Sequence, residues 1–432
     1  MIIKDYKKAL TSLSWLWIGS LLGSGSTFLT FILVAREIGP EAFGIFSSAI
    51  ATINFFTLLA GFGVSQAWLK IYGKEGWGGV DWMSSSFKFV LYSLVLITIF
   101  LLFLANLPIQ DENSSKIIQI LVIYIYGFIS VELVTSKLQL EESFKSLSVW
   151  KLFPNLLRLI ITITCIYILQ SKFNVVLLAW IYAFIGLISF FLALPHFRTL
   201  IYGKLQLKGH ASFKSSETRK ISVLQVFNES WPFGFANLFA FVYVQSDLIM
   251  VKYMSGNVEA GYYNVGYVIL TATLVIPTML FGKFLLPKYH RWSNHDTEKF
   301  KNVYRKSNQI MIGTGILIMI LIVLSSRWVV PGLFGTEYVG SVKLVKILSL
   351  TIPISFLMYS VGATLVTNEH MKMKVFMMGV VALINVVLNL MLIPYYGAVG
   401  AAASTILSNI LLLLLYLWGA KNRVFNNRFS SE

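Results

Sequence analysis

Long apolar runs of about twenty residues, separated by short polar or charged joints, succeed one another from residue 11 to residue 419. An apolar helix of about 20 residues spans the hydrocarbon core of a bilayer, and lipid leaves backbone polar groups no partner except the helix itself. The pattern therefore predicts an all-α integral membrane protein of twelve transmembrane helices. They fall near 11–34, 43–69, 86–107, 117–136, 149–170, 175–197, 231–251, 258–286, 309–331, 343–366, 373–394 and 398–419. The first run, behind Lys4, Lys7 and Lys8, exceeds the roughly 7–15 residues of a signal-peptide core, so it is read as a span. The last two runs are joined only by Pro394 to Gly397, with no charge in the joint.

Charge tests that count independently. With the N-terminus cytoplasmic, and basic residues near span ends counted with the adjoining loop, 27 of the 35 lysines and arginines lie on the inner side and seven on the outer, leaving Arg158 deeper within a span. Basic residues are retained in cytoplasmic loops, and a wrong number of spans would mix the two classes. Both termini are expected inside. Composition agrees, at 56% hydrophobic and 12% charged against about 45–50% and about 25% in globular chains. The net charge of +16 is then a topology signal: segments such as 198–220 and 283–306 face anionic headgroups, and no nucleic acid is implied.

Several chemistries drop out. The one cysteine, Cys165, lies in a span, so neither a disulfide nor a thiolate metal site is expected. His196, His210, His290, His295 and His370 form no i, i+4 pair. No phosphate-binding Walker loop is present, so energy has to come from a gradient or a partner. No cofactor is expected, and the chain is not expected to be an enzyme.

The chain reads as built twice. Pro40-Glu-Ala-Phe-Gly44-Ile-Phe46 after span one is echoed by Asn257-Val-Glu-Ala-Gly261-Tyr-Tyr263 after span seven. Phe173 to Ala179 is echoed by Tyr396 to Ala402. Equal topology implies parallel repeats about an axis along the membrane normal, with a site between halves near mid-membrane. The expected division is a lobe at 1–200, a cytoplasmic linker at 201–230 and a lobe at 231–432.

Four segments carry a family resemblance: Val34 to Phe46, Gln245 to Met250 with Glu259 to Tyr263, Leu333 to Tyr338, and Asn389 to Ser404. In order and over nearly the whole length, they resemble the polysaccharide biosynthesis or O-antigen flippases (Wzx-type) of the multidrug/oligosaccharidyl-lipid/polysaccharide exporter superfamily. The resemblance implies two six-helix lobes, alternating access, and a location in the bacterial plasma membrane. It implies as cargo an undecaprenyl-diphosphate-linked oligosaccharide, an O-antigen or capsule repeat unit, moved from the inner to the outer leaflet. Membrane lipids, a glycan polymerase and a chain-length regulator are the implied partners.

Such a cargo needs a polar, preferably cationic path, and ionisable groups within spans are the first candidates. Arg158 lies about 10 Å into the membrane by helix rise, and guanidinium grips phosphate oxygens in pairs; the rival reading is a structural arginine beside Pro154. Asp247, which matches the aspartate of the family pattern, is a candidate for coupling to a proton or sodium gradient, or a partner for Arg36 or Lys252. Lys70, Lys283 and Arg36 are weaker substrate candidates, because basic residues at span ends commonly snorkel. Glu132, a turn from Lys137, is read as a helix-end ion pair. Asn54, Gln66, Asn237, Asn264 and Asn385 are candidates for sugar hydroxyls, beside the ordinary reading of interhelical hydrogen bonds. Trp15, Trp17, Tyr262, Tyr263 and Tyr267 read first as interfacial belts. Gly61, Gly63 and Pro277 interrupt spans and are candidate hinges. A cation-coupled multidrug exporter on the same fold is the main rival. A membrane glycan polymerase or ligase is disfavoured by short outer loops without histidine.

Overall fold

The computed structural model describes residues 2–108, 110–207, 219–366 and 371–425, excluding the side chains of 2–13, 171, 282–284, 287, 290–291 and 294–295. His210 and His370 lie outside the described residues, as do the side chains of Lys283, His290 and His295. The described chain is helical nearly throughout, with no strand: α1 (Ile2–Gly61), α2 (Val64–Glu75), α3 (Met83–Ala105), α4 (Glu112–Leu140), α5 (Phe144–Leu169), α6 (Val175–Ile201), α7 (Val223–Ser255) and α8 (Asn257–Thr273). There follow α9 (Val275–Met279), α10 (Leu286–His295), α11 (Thr297–Phe334), α12 (Ser341–Ser349), α13 (Thr351–Thr364), α14 (Met371–Tyr396) and α15 (Ala398–Gly419).

Among the described residues nine helical stretches are long and apolar enough to cross a membrane, and the bent pair Thr336–Ser349 and Thr351–Thr364 makes a tenth. The twelve separate runs of the sequence are fewer here because the first three fall within one stretch, Ser14–Ala105. That stretch is broken inside. At Gly39 the backbone leaves the helix (φ 75°, ψ 171°) ahead of Pro40, since the residue before proline is pushed out of the helical region. A second break at Phe62 and Gly63 (φ 30° and 77°) separates α1 from α2.

Contacts gather the chain into two units, Met1–Thr30 with Ala49–Leu238, and Phe31–Ser48 with Phe239–Glu432. In the first, α4 and α6 cross backbone to backbone: a Cβ on Gly127 would stand 2.2 Å from the Gly186 carbonyl oxygen. Small residues let helices approach where lipid supplies no hydrophobic drive. Near the C-terminal end of α4 the ammonium of Lys137 pairs with Glu141 at 2.8 Å, both side chains largely buried. This corrects the expected Lys137–Glu132 pair, because the carboxylate four residues on meets the lysine on one helix face.

In the second unit the two echoed turns meet. A Cβ on Gly44 would lie 1.8 Å from the Asn257 carbonyl oxygen, and one on Gly261 would lie 2.1 Å from that of Pro40. Asn264 donates to Ser47 Oγ at 2.6 Å across an offset of 217 residues, the same offset that relates Gly44 to Gly261. Gly39 and Gly256, again 217 apart, share one conformation, with φ 75° and ψ 171° against φ 97° and ψ 172°. Tyr338 completes this corner by donating to the Ala35 carbonyl at 2.9 Å. The uncharged joint between α14 and α15 turns at Gly397 (φ 58°), and Glu259 accepts from the Ala398 N–H at 3.3 Å, capping α15. A core of Phe281, Tyr289, Phe300, Phe356, Val361 and Tyr416 fills this unit toward the other end of the same helices.

Large apolar side chains are left on the outside, including Leu96, Ile99 and Phe103 of α3 and Leu321 and Leu324 of α11. In water such a band would drive association. Hydrocarbon solvates it.

Candidate functional site

Asp247 lies in the middle of the polar cluster of the second unit and is 2% exposed. Its Oδ1 accepts from Asn389 Nδ2 at 2.5 Å, and its Oδ2 accepts from the Tyr263 hydroxyl at 2.8 Å and from Thr405 Oγ1 at 2.5 Å. Asn389 also donates to Asn385 Oδ1 at 3.2 Å, which Ser246 approaches at 3.3 Å. Three helices, α7, α14 and α15, bring these groups together with α8. The i, i+4 spacing puts Asn385 and Asn389 on one face of α14.

The hydrogen bonds of the cluster are incompletely matched. Thr405 carries one hydroxyl proton but lies against both the Asp247 carboxylate and, at 2.9 Å, the Ala401 carbonyl. Asn389 Oδ1, an acceptor, and Asn385 Nδ2, a donor, are both buried without a hydrogen-bond partner. All these hydrogen-bonding neighbours of Asp247 are neutral. An oxygen-rich pocket of this kind suits a proton on the carboxylate or a hard cation such as sodium, which takes oxygen ligands.

Arg158 is 7% exposed in the first unit. Its guanidinium lies 4.0 Å from the ring centroid of Tyr182 and 5.9 Å from that of Tyr124, with both hydroxyls in hydrogen-bonding reach. Nε is buried without a partner. Among the described residues no carboxylate pairs with this arginine. The tyrosines come from α4 and α6, aligned by the Gly127–Gly186 crossing. Two electron-rich rings stabilise the cation without neutralising it.

The remaining candidates scatter. Lys70 pairs with Glu229 at 2.8 Å and is half exposed. Arg36 is exposed. Asn54 Oδ1 is buried without a partner, while Asn264 serves the paired turns through Ser47. Asn385 belongs to the Asp247 cluster. Gly61, Gly63 and Asn237 line one cleft of the first unit together with Thr57, Ser65 and Glu132. Gln66 lies beside it, its Oε1 accepting from Ser65 at 2.9 Å. At Pro277 the helix is broken into α8, the short α9 and a π-turn over Leu280–Leu285.

Sequence reasoning missed Thr405 and assigned Tyr263 to an interfacial belt. Thr405 stands one turn along α15 from Ala401, inside the resemblance-bearing segment's helix, and only its depth relative to Asp247 would have singled it out.

Known proteins share the family and the fold. The family model described as polysaccharide biosynthesis protein matches residues 9–291. The capsular polysaccharide biosynthesis protein CapF of Staphylococcus aureus is 20% identical over 416 residues, 95% of this chain and 99% of that one. Among solved structures, the lipid II flippase MurJ in an inward closed conformation superposes with a TM-score of 0.71 at 16% identity, over 94% of this chain and 87% of that one. An inward-facing multidrug resistance MATE transporter of the MOP superfamily also gives 0.71, at 15% identity, over 93% and 94% of the two chains. The structural likenesses show a shared fold. The family model covers well over half of the chain, which therefore belongs to the polysaccharide biosynthesis protein family.

Proposed function

We propose that the chain is a flippase that carries an undecaprenyl-diphosphate-linked oligosaccharide from the cytoplasmic to the outer leaflet of the bacterial plasma membrane by alternating access. The observation that carries this reading is Arg158, a buried guanidinium with no acidic partner among the described residues. A buried cation left unpaired is costly, and a cargo diphosphate would pair it bidentately. Family membership and the capsular relative support a glycan cargo; the fold shared with the lipid II flippase supports a lipid-linked one. The transport reading needs no catalytic group.

Twelve spans follow if Ser14–Ala105 is divided at Gly39 and after α2 and the bent pair is one span; with the inner excess of basic residues both termini are cytoplasmic. The Asp247 cluster supplies coupling. Asp247, Asn385, Asn389 and Thr405 would hold a sodium ion, or Asp247 alone a proton, and exchange with the gradient would bias the transport cycle. A glycan polymerase and a chain-length regulator are the partners such cargo would be handed to. A second reading, cation-coupled drug export, draws on the equal likeness to the MATE transporter.

The deciding experiment labels lipid-linked glycan with a membrane-impermeant reagent in right-side-out vesicles from cells with and without the protein. Outer-leaflet glycan that vanishes on deletion, with drug susceptibility unchanged, is expected. Unchanged outer-leaflet glycan together with raised drug susceptibility would establish the exporter instead.

A further inference from the structure

The polar groups around Asp247 continue to one side of it and are cut short on the other. Toward the turn at Gly397, four residues along from Asp247, Asn389 and Thr405, stand Val251 of α7, Ile393 of α14 and Ala401 of α15, all apolar and at most 1% exposed. There α14 and α15 also close on one another, since a Cβ on Gly400 would lie 2.5 Å from the Leu392 carbonyl oxygen. Four residues the other way, on the same three helix faces, stand Tyr243, Asn385 and Asn409. The Tyr243 hydroxyl donates to Asn409 Oδ1 and lies within electrostatic reach of both Asp247 and Tyr416.

The line goes on beyond that pair. Because 247 meets 405 and 243 meets 409, α7 and α15 run antiparallel. Helical side chains lean toward the N-terminus of their own helix, so Tyr416 reaches back toward Asn409 and Tyr243 leans to meet it. Against the Tyr416 ring stands the ammonium of Lys374, 5.7 Å from the centroid. Gly362 makes room for both, as a Cβ there would lie 3.1 Å from the ring and 3.5 Å from Nζ. A lysine at the end of a span commonly snorkels; this one is half-buried between helices, and among the described residues no carboxylate pairs with it. Along the line Asn385 Nδ2 and Ser408 Oγ are buried without a hydrogen-bond partner, and buried polar atoms of that kind are met by water or an ion. On this face of α15, Leu412 stands between Asn409 and Tyr416, an apolar constriction of the sort that gates by shedding water.

We propose that the cation or proton held at Asp247 exchanges with the cytoplasm along this line, inside the second unit, with the Tyr243–Asn409 pair as its next station and Leu412, Tyr416 and Lys374 as the inner mouth. The inference rests on the coupling role given to Asp247 and on cytoplasmic termini, which put Lys374 at the inner edge of its span. A hard cation leaving Asp247 needs oxygen ligands. Tyr243 and Asn409 supply them, and the plug of Val251, Ile393 and Ala401 supplies none.

The probe is silver nitrate, a thiol-reactive monovalent cation close to sodium in size. With Cys165→Ser as the background, the full chain carrying Asn409→Cys or, separately, Ala401→Cys meets silver in chloride-free inside-out and right-side-out membrane vesicles, and the remaining thiol is counted after denaturation. Asn409→Cys is expected to react roughly tenfold faster from the cytoplasmic side than from the outer side, and more slowly when sodium nitrate is added or, for a proton-coupled chain, when pH is lowered. Ala401→Cys is expected to stay protected from both sides. Equal rates of Asn409→Cys from the two sides, a faster rate from the outer side, or protection from both overturns the route. Tyr243→Phe keeps the ring and removes the hydroxyl: gradient-driven transport should slow roughly tenfold with the half-saturating cation concentration and the unfolding temperature unchanged. An unaltered rate, or a slower one that comes with lost affinity or stability, reduces the pair to a packing contact and overturns its place on the route. If Asp247→Asn keeps full gradient dependence, the coupling reading fails and the route with it. If that dependence is lost while Asn409→Cys stays protected from the cytoplasm, the coupling reading stands and the route alone falls.

Discussion

Two ionisable side chains of opposite sign are buried in different units, and each is surrounded by neutral groups. A charge in that position is retained at a cost, so removal of either should affect transport more than stability. Asp247→Asn keeps the shape and the hydrogen bond from Asn389 but removes the charge; transport into vesicles is expected to lose its dependence on an imposed sodium or proton gradient. Gradient dependence kept in full would end the coupling role. Arg158→Ala is expected to abolish glycan export at normal expression, and full export by that variant would end its role toward the diphosphate. Lys70 provides the contrast. Its pair with Glu229 is solvent-exposed, and exposed pairs contribute about 0–1 kcal/mol, so Lys70→Ala should leave thermal stability in detergent nearly unchanged. Both buried charges are legible in the sequence, because an Arg or Asp inside an apolar run has few explanations. The pairing of Lys137 is legible in spacing, since Glu141 stands four residues on and Glu132 five residues back, off the same face; the direction Glu132 then takes is set by packing.

Helices in this protein are punctuated by glycines that look alike in sequence and differ in structure. Gly127 sits where a Cβ would overlap the Gly186 backbone, whereas Gly61 has nothing within 4 Å of its missing Cβ. Gly127→Ala must push α4 and α6 apart and lose the alignment of Tyr124 and Tyr182 about Arg158. It is expected to destabilise the protein by about 1–3 kcal/mol, the usual range for overpacking, and to lower export with it. Gly61→Ala at the end of α1 should be neutral or stabilising by up to about 1 kcal/mol, as read by unfolding temperature in the same detergent. The apolar periodicity announces each long helix because lipid demands unbroken runs. Bends are announced by other residues: Gly39 is marked by the following Pro40, and the break at Phe62 by Gly61 and Gly63 on either side, but that Phe62 itself takes a positive φ is not legible and goes with the interlock with Gly234.

The whole chain divides by contact into units that do not each consist of one continuous segment, since Phe31–Ser48 belongs with Phe239–Glu432. Ala35 receives the Tyr338 hydroxyl and Ser47 the Asn264 amide, so a fragment beginning after residue 219 would lack part of its own corner. Cutting the chain in the polar stretch between residues 207 and 219 and expressing the pieces separately should therefore give two unstable fragments, and co-expression should restore glycan export; a stable C-terminal fragment on its own would contradict the role of 31–48. The echo of Pro40–Phe46 in Asn257–Tyr263 is readable from sequence, but that the two copies touch is not, since repetition fixes equivalence and not proximity. Their contact is reciprocal: each copy's glycine rests on the other's opening residue, at the same offset. Two identical chains related by a twofold axis make contacts of this form, residue i to j and j to i. The two turns thus form a self-complementary pair, in which the surface that one short sequence offers is the surface that its repeat receives.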